Sequence, residues 1–444
     1  MPKLKQLTLA CALLFSTAPL AHAADTGTTL KDFFTSALAY SPSLKAAEER
    51  WHASEARISY ANGQLLPQLN ADGSTSRIAY QPQDRVVEHN NGRNYSLQLS
   101  QVLFNWQAFA NRQQAYLQGS QSEAEYYSQL SMLLTIIADN YLTALQSEDT
   151  LSSMNAELDA INNQVNQIQR MYDLQLAKIT DLYRAKAQAA AVATQRISAE
   201  SDVTVSKASL QASSGLEAGG LRRLPLAIEF APLQGSLQEW LDRARANNKQ
   251  LEASSFAVQA ADKAVSQRKG AFMPRVSLVL SRQTSDTGYL NAPTLRTDSN
   301  YVGINFSMPL FAGGSNRALV REAQSQRNAA EDQMQQTRLD VFDRARSAYY
   351  KVKSGESRIQ AAKQQAEAMT LSYNAMKRGF EVGTVTSVEL LDALRDQFRA
   401  QRDLQQVQYD YLRYKLVLQR EAGTLTAKDM EEISDLLNAP AAAR

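Results

Sequence analysis

Cysteine is almost absent: the 444-residue chain has one, Cys11, and histidine is nearly as scarce, with three. Cys11 lies in an N-terminal stretch with the form of a secretory signal. Lys3 and Lys5 come first, then an apolar core from Leu7 to Leu20, then Ala21-His22-Ala23 as a small-residue cleavage site. Cleavage after Ala23 is expected to leave about 421 residues and no cysteine. Such a chain has no disulfide framework, no thiolate metal site and no thiol nucleophile. His52 and His89 then stand alone, too few for a histidine metal cluster.

Long apolar runs are also missing. The signal core falls short of the roughly 20 residues that span a bilayer, and no later run approaches that length. This excludes spanning helices but not an outer-membrane β-barrel, whose strands alternate and barely register on hydropathy. Excess charge is missing as well. Without Lys3 and Lys5 the 47 basic residues become 45, against 45 acidic ones, which gives no footing for a nucleic-acid partner. Ala312-Gly313-Gly314-Ser315 lacks the spacing of a phosphate-binding loop, and no catalytic motif is legible. The chain reads as a non-enzyme without cofactor or metal.

What the sequence does have is one design written twice. An offset of 207 places Leu30 on Leu237, Leu44 on Leu251, Pro67 on Pro274 and Leu103-Phe104 on Leu310-Phe311. Farther along the offset becomes 208, and Leu151, Met154, Leu158, Ile161, Val165 and Ile168 fall on Ile359, Ala362, Ala366, Met369, Tyr373 and Met376. Landmarks of several kinds in one register indicate an internal two-fold repeat. The expected division is a signal at 1–23, a first repeat at 24–215, a linker at 216–236, a second repeat at 237–426 and a tail at 427–444. The linker carries Gly219-Gly220, Pro225 and Pro232.

Each repeat opens with a helix, Leu30 to Asn62 or Leu237 to Gly270, ended by glycine and a following proline. Two strand-like segments follow, at 68–80 and 94–104 or at 275–284 and 300–308, joined by polar loops at 81–93 and 285–299. Next comes a long helix, Gln107 to Gln175 or Ser315 to Glu381, whose apolar residues recur at steps of three and four. At about 1.5 Å per residue such a helix is a rod of roughly 100 Å. A hairpin turn near 176–181 or 381–386 leads into a return helix.

The strand segments have two faces. Tyr95, Leu97 and Leu99 oppose Ser96, Gln98 and Ser100, while Val302, Ile304, Phe306 and Met308 oppose Tyr301, Gly303, Asn305 and Ser307. That pattern suits strands crossing an outer membrane around a wet lumen, and equally a soluble sandwich with one face on its core. Four strands cannot close a barrel, and bilayers do not tolerate open edges, so membrane strands would have to be pooled between chains. Two chains would supply eight strands and three would supply twelve, and only the larger number begins to leave an aqueous bore.

Beyond the second turn Glu389 and Asp392 share a helix face, being three residues apart. They serve either as an acidic site or as N-terminal helix residues favoured by the helix dipole. The competing architecture is a periplasmic coiled-coil adaptor or scaffold without membrane strands.

The stretches PLFAGGSNRALVREAQSQ from Pro309, FEVGTVTSVELLDALRDQFRAQRDL from Phe380, YDYLRYKLVLQREAGTL from Tyr409 and LAKITDLYRAKAQ from Leu176 resemble the TolC family of bacterial outer-membrane channel proteins. The resemblance covers nearly the whole chain after the signal. It implies a mixed α and membrane-β fold: a homotrimer whose twelve-stranded β-barrel, four strands per chain, sits in outer-membrane lipid and continues into a helical periplasmic tunnel. It also implies a periplasmic adaptor (membrane fusion protein) and an inner-membrane transporter as partners, in type I secretion or drug efflux. The family's acidic entrance residues match Glu389 and Asp392, with Thr180-Asp181 at the first tip. The family's gate turn matches the segment holding Phe380, Gly383 and Val385. Here the chain departs from the pattern. Many members carry an aromatic hydroxyl and an arginine where this chain has Phe380 and Val385, leaving Arg378 or Lys178 as substitutes for the polar lock.

Overall fold

In the computed structural model, residues 28–80, 87–221, 230–286, 296–426 and 428–429 are described. The signal segment, part of the linker and nearly all of the tail lie outside them. The chain runs α1 (Leu30–Tyr40), α2 (Pro42–Gly63), β1 (Gln68–Tyr80), β2 (Glu88–Asn105), α3 (Trp106–Asp173), α4 (Ile179–Ser214), α5 (Leu237–Asn247), α6 (Lys249–Lys269), β3 (Arg275–Asp286), β4 (Thr297–Ser307), α7 (Ser315–Glu381) and α8 (Ser387–Glu421).

The long helices form as their periodicity predicts. α3 has 68 residues and α7 has 67. On α3 the buried positions include Met154, Glu157, Ile161, Gln164 and Ile168, and on α7 they include Val341, Ala345, Ala348, Val352 and Gly355. These are steps of three and four, the seam by which coiled helices interlock. α3 packs against α4 and α7 against α8, and α3 also touches α2, α6 and α8. The largest core surrounds the middle of α3, where Ile137, Tyr141, Leu142 and Leu145 meet Phe33 of α1, Leu210 of α4 and Tyr409, Leu412 and Leu416 of α8. The Phe33 and Tyr141 rings meet edge-on at 5.7 Å.

Two opening helices differ from expectation, each broken once. Ser41 adopts ψ 113 because the ring of Pro42 disfavours helical geometry in the residue before it. Ser41 then caps α2 through its side chain. Asn248 makes the matching break with ψ 118, its side-chain oxygen accepting from the N–H groups of Gln250 and Leu251.

The four strands form one antiparallel sheet in the order β1-β2-β3-β4. Register places Leu69 beside Leu99, Leu99 beside Leu280 and Leu280 beside Val302, an apolar row across all four strands. Asn70, Gln98, Ser281 and Tyr301 form a polar row in the same way. β2 starts at Glu88 instead of residue 94, because the extended β1 supplies hydrogen-bonding partners to a segment with no alternation of its own. His89 therefore lies in a strand opposite Ala79, not in a loop. Within the single chain the apolar face is bare: Val302, Ile304 and Phe306 are 72%, 67% and 68% exposed. No helix among the described residues is long and apolar enough to cross a membrane.

Candidate functional site at the helical tips

Each long hairpin reverses through the same backbone device. At the end of α7, Gly383 takes φ 83, its N–H donates to Phe380 O at 3.1 Å, and Thr384 N–H donates to Gly379 O at 2.9 Å. This is a Schellman closure, which satisfies carbonyls the helix leaves open and needs a left-handed residue that glycine adopts without steric cost. At the end of α3 the left-handed residue is Gln175, with φ 62, and Leu176 N–H donates to Met171 O at 2.8 Å. A non-glycine residue held there costs roughly 1–2 kcal/mol.

α8 then starts with a full capping box. Thr386 Oγ1 accepts from Glu389 N–H at 3.3 Å, while Glu389 Oε2 accepts from Thr386 N–H at 2.8 Å and from its hydroxyl at 2.9 Å. Those two donors hold the Glu389 carboxyl below the ordinary glutamate range, the backbone N–H contributing most. The signal Thr-x-x-Glu was in the sequence, and it gives Glu389 a structural task of its own. α4 has no such box: Lys178 occupies its N-cap position without a side-chain bond, and Asp181 sits in the first turn.

The expected site residues divide into two groups. The acids face outwards. Glu389 and Asp392 are exposed, Thr180 is exposed and Asp181 is half-buried. Asp392 is paired with Arg395 at 3.0 Å, and Arg395 also reaches Asp396 at 3.2 Å, so one guanidinium offsets part of this acidic face. Sequence reasoning passed over Arg395, although the three-residue step from Asp392 was legible. Phe380 and Val385 face inwards instead. Phe380 is 8% exposed and packs with Ile168 of α3, Leu182 and Ala185 of α4, and Leu390 and Leu391 of α8, with Val385 beside them. Among the described residues, no hydrogen bond or ion pair within the chain joins Arg378 or Lys178 to the opposite tip.

Farther up the shafts, α8 is tied to α3 by polar links that sequence reasoning missed. Arg402 Nη1 meets Glu157 Oε2 at 2.5 Å, the Tyr409 hydroxyl donates to Asp149 at 2.6 Å, and Arg413 Nε meets Asp139 at 2.9 Å.

Against known proteins, the model of the family described as "Outer membrane efflux protein" matches twice, at residues 34–216 and 240–424. The chain is 27% identical over 409 residues to the outer membrane protein TolC of Escherichia coli K12, covering 89% of this chain and 82% of that one. It is 26% identical over 417 residues to the alkaline protease secretion protein AprF of Pseudomonas aeruginosa, covering 91% and 86%. Among solved structures, that of CusC, described in terms of transmembrane channel formation, superposes with a TM-score of 0.79 at 17% identity, covering 90% of this chain and 92% of that one.

Proposed function

The chain belongs to the outer membrane efflux protein family, and we propose that three copies of this export channel close their sheets into one twelve-stranded barrel over a helical periplasmic tunnel. The carrying observation is the sheet itself. Four strands with β1 and β4 as free edges and one bare apolar face make neither a stable soluble layer nor a closed membrane wall. Pooling three sheets pairs every edge and turns the Leu69, Leu99, Leu280, Val302 row towards lipid. The repeat is the second part of the reading, supported by the double match of one family model and by breaks at Ser41 and Asn248 that lie 207 residues apart.

At the other end, Glu389 and Asp392 from each of three chains place six carboxylates around one axis, with three copies of Arg395 reducing their net charge. Asp181 of the first tip adds to the same ring. Such a ring admits cations and opposes anions. An adaptor and an inner-membrane transporter are the proposed partners, and AprF, named for protease secretion, favours a polypeptide cargo. The test is purification in mild detergent followed by planar-bilayer recording. A trimer with cation preference, weakened by Glu389→Gln together with Asp392→Asn, is expected. A stable monomer in detergent would defeat the three-chain barrel, and unchanged selectivity in the double variant would defeat the acidic ring.

A further inference from the structure

The polar ladder from α8 to α3 stops short of the turns. Its lowest rung, Arg402 to Glu157, lies 16 residues before the end of α3, about 24 Å along the helix. Below it, among the described residues, no ion pair or hydrogen bond connects the two tips. What connects them is apolar. Phe380, from the last turn of α7, packs among Ile168, Leu182 and Ala185 of the first hairpin and Leu390 and Leu391 of α8.

The local backbone is shaped to this packing. A Cβ on Gly379 would come within 2.5 Å of Val385 Cγ2, so Val385 folds back onto a helix that has been hollowed to receive it. The corresponding positions of the first tip are Met171 and Ala177, the large and small residues exchanged, and both pack against the same cluster. Both turns therefore bring apolar side chains against Phe380's cluster, Val385 from the second tip and Met171 and Ala177 from the first.

We propose that this cluster is an apolar clasp that holds the second tip against the first, with Phe380 as the positioning residue that keeps Glu389 and Asp392 at the entrance. The inference rests on the export-channel reading. A clasp of this kind has a signature that an ionic lock lacks. Ion pairs weaken as the screening length falls from about 10 Å at 0.1 M salt to about 3 Å at 1 M, whereas apolar contacts do not.

The experiment uses the full-length trimer in planar bilayers, with conductance divided by that of the bulk electrolyte across this salt range. The wild-type ratio should not climb with salt, and the acidic ring, which concentrates cations at low salt, should make it fall. Phe380→Ala should raise the open fraction on the order of 10-fold or more, as loss of a buried aromatic contact shifts a two-state equilibrium. Phe380→Leu should restore most of the closure. Leu182→Ala, made on the other hairpin, should open the channel as Phe380→Ala does, with little further gain in the double variant. If Phe380→Ala does not assemble, Gly379→Ala tests the same contact by displacing Val385 without removing apolar surface, and it too should raise conductance. A wild-type ratio that climbs with salt overturns the clasp, as does a trimeric Phe380→Ala channel with wild-type conductance. A wild-type trimer and a trimeric Phe380→Ala variant that both insert and both carry no current at any voltage overturn the export-channel reading instead.

Discussion

The rung between Arg402 and Glu157 is the most enclosed ion pair among the described residues, with Glu157 1% and Arg402 18% exposed. That asymmetry predicts unequal penalties. In Arg402→Ala the Glu157 carboxylate stays buried with its charge uncompensated, which costs about 3–5 kcal/mol. In Glu157→Ala the guanidinium keeps Ser153 Oγ at 3.4 Å, and its long stem lets the charged head slide towards water. About 2 kcal/mol is expected there, the scale of a lost hydrogen bond to a charged group. Replacing both, as Glu157→Met with Arg402→Leu, removes the desolvation of two charges along with their attraction and should be close to neutral.

Thermal unfolding of the detergent-solubilised protein reads these differences. At about 2.1 cal/mol/K per residue, a chain of this length unfolds with an entropy on the order of 0.9 kcal/mol/K, so about 4 kcal/mol lowers Tm by roughly 4–5 °C. Arg402→Ala should therefore melt roughly 1–3 °C below Glu157→Ala, and the double variant should lie above both. A double variant as low as the two single losses combined would refute the reasoning, since additive losses mean that the two residues are not coupled. Glu157→Ala melting below Arg402→Ala would refute it too, because burial would not be setting the penalty.

Further outcomes follow from the turns and caps. Gln175→Gly should stabilise by about 1 kcal/mol by relieving the left-handed strain, and Gly383→Ala should destabilise by a similar amount, both read as shifts in Tm. Thr386→Val removes the hydroxyl that bonds Glu389 on both sides and should return the Glu389 carboxyl towards the ordinary range. Because the folded value is depressed, the capping contribution is complete above the ordinary glutamate pKa of about 4.3 and fades as pH falls through the lowered value. Tm of the wild type should thus drop more than that of Thr386→Val between neutral pH and that window. A bulky residue at Val302 such as Arg should block recovery in the outer membrane, since that position lies on the bare apolar face.

The rods were legible because coiled packing repeats every few residues and leaves its period in the sequence. The second turn was legible through Gly383, whereas the first, built on Gln175, could be placed only by its offset from the second. The opening of β2 was not legible, since Glu88 to Arg93 has no alternation in sequence and is extended where it pairs with Tyr80 to Thr75 across the sheet. The site was harder to read for a related reason. An amphipathic stripe identifies the buried face of a helix with one neighbour, but α3 packs against α2, α4, α6 and α8. Around 133–145 its burial is broad, but from Met154 to Ile168 it narrows to one stripe that runs through Glu157 and Gln164, leaving Leu158 and Val165, which sit on the apolar period, only half-buried. A charged residue in such a place is explained only by its partner, and Arg402 arrives from the far hairpin, 245 residues later. Phe380 is the converse case. As a sequence letter it marks only the loss of a hydroxyl. Its meaning comes from Ile168 and Leu182, residues of the other hairpin, which give that apolar ring something to close upon.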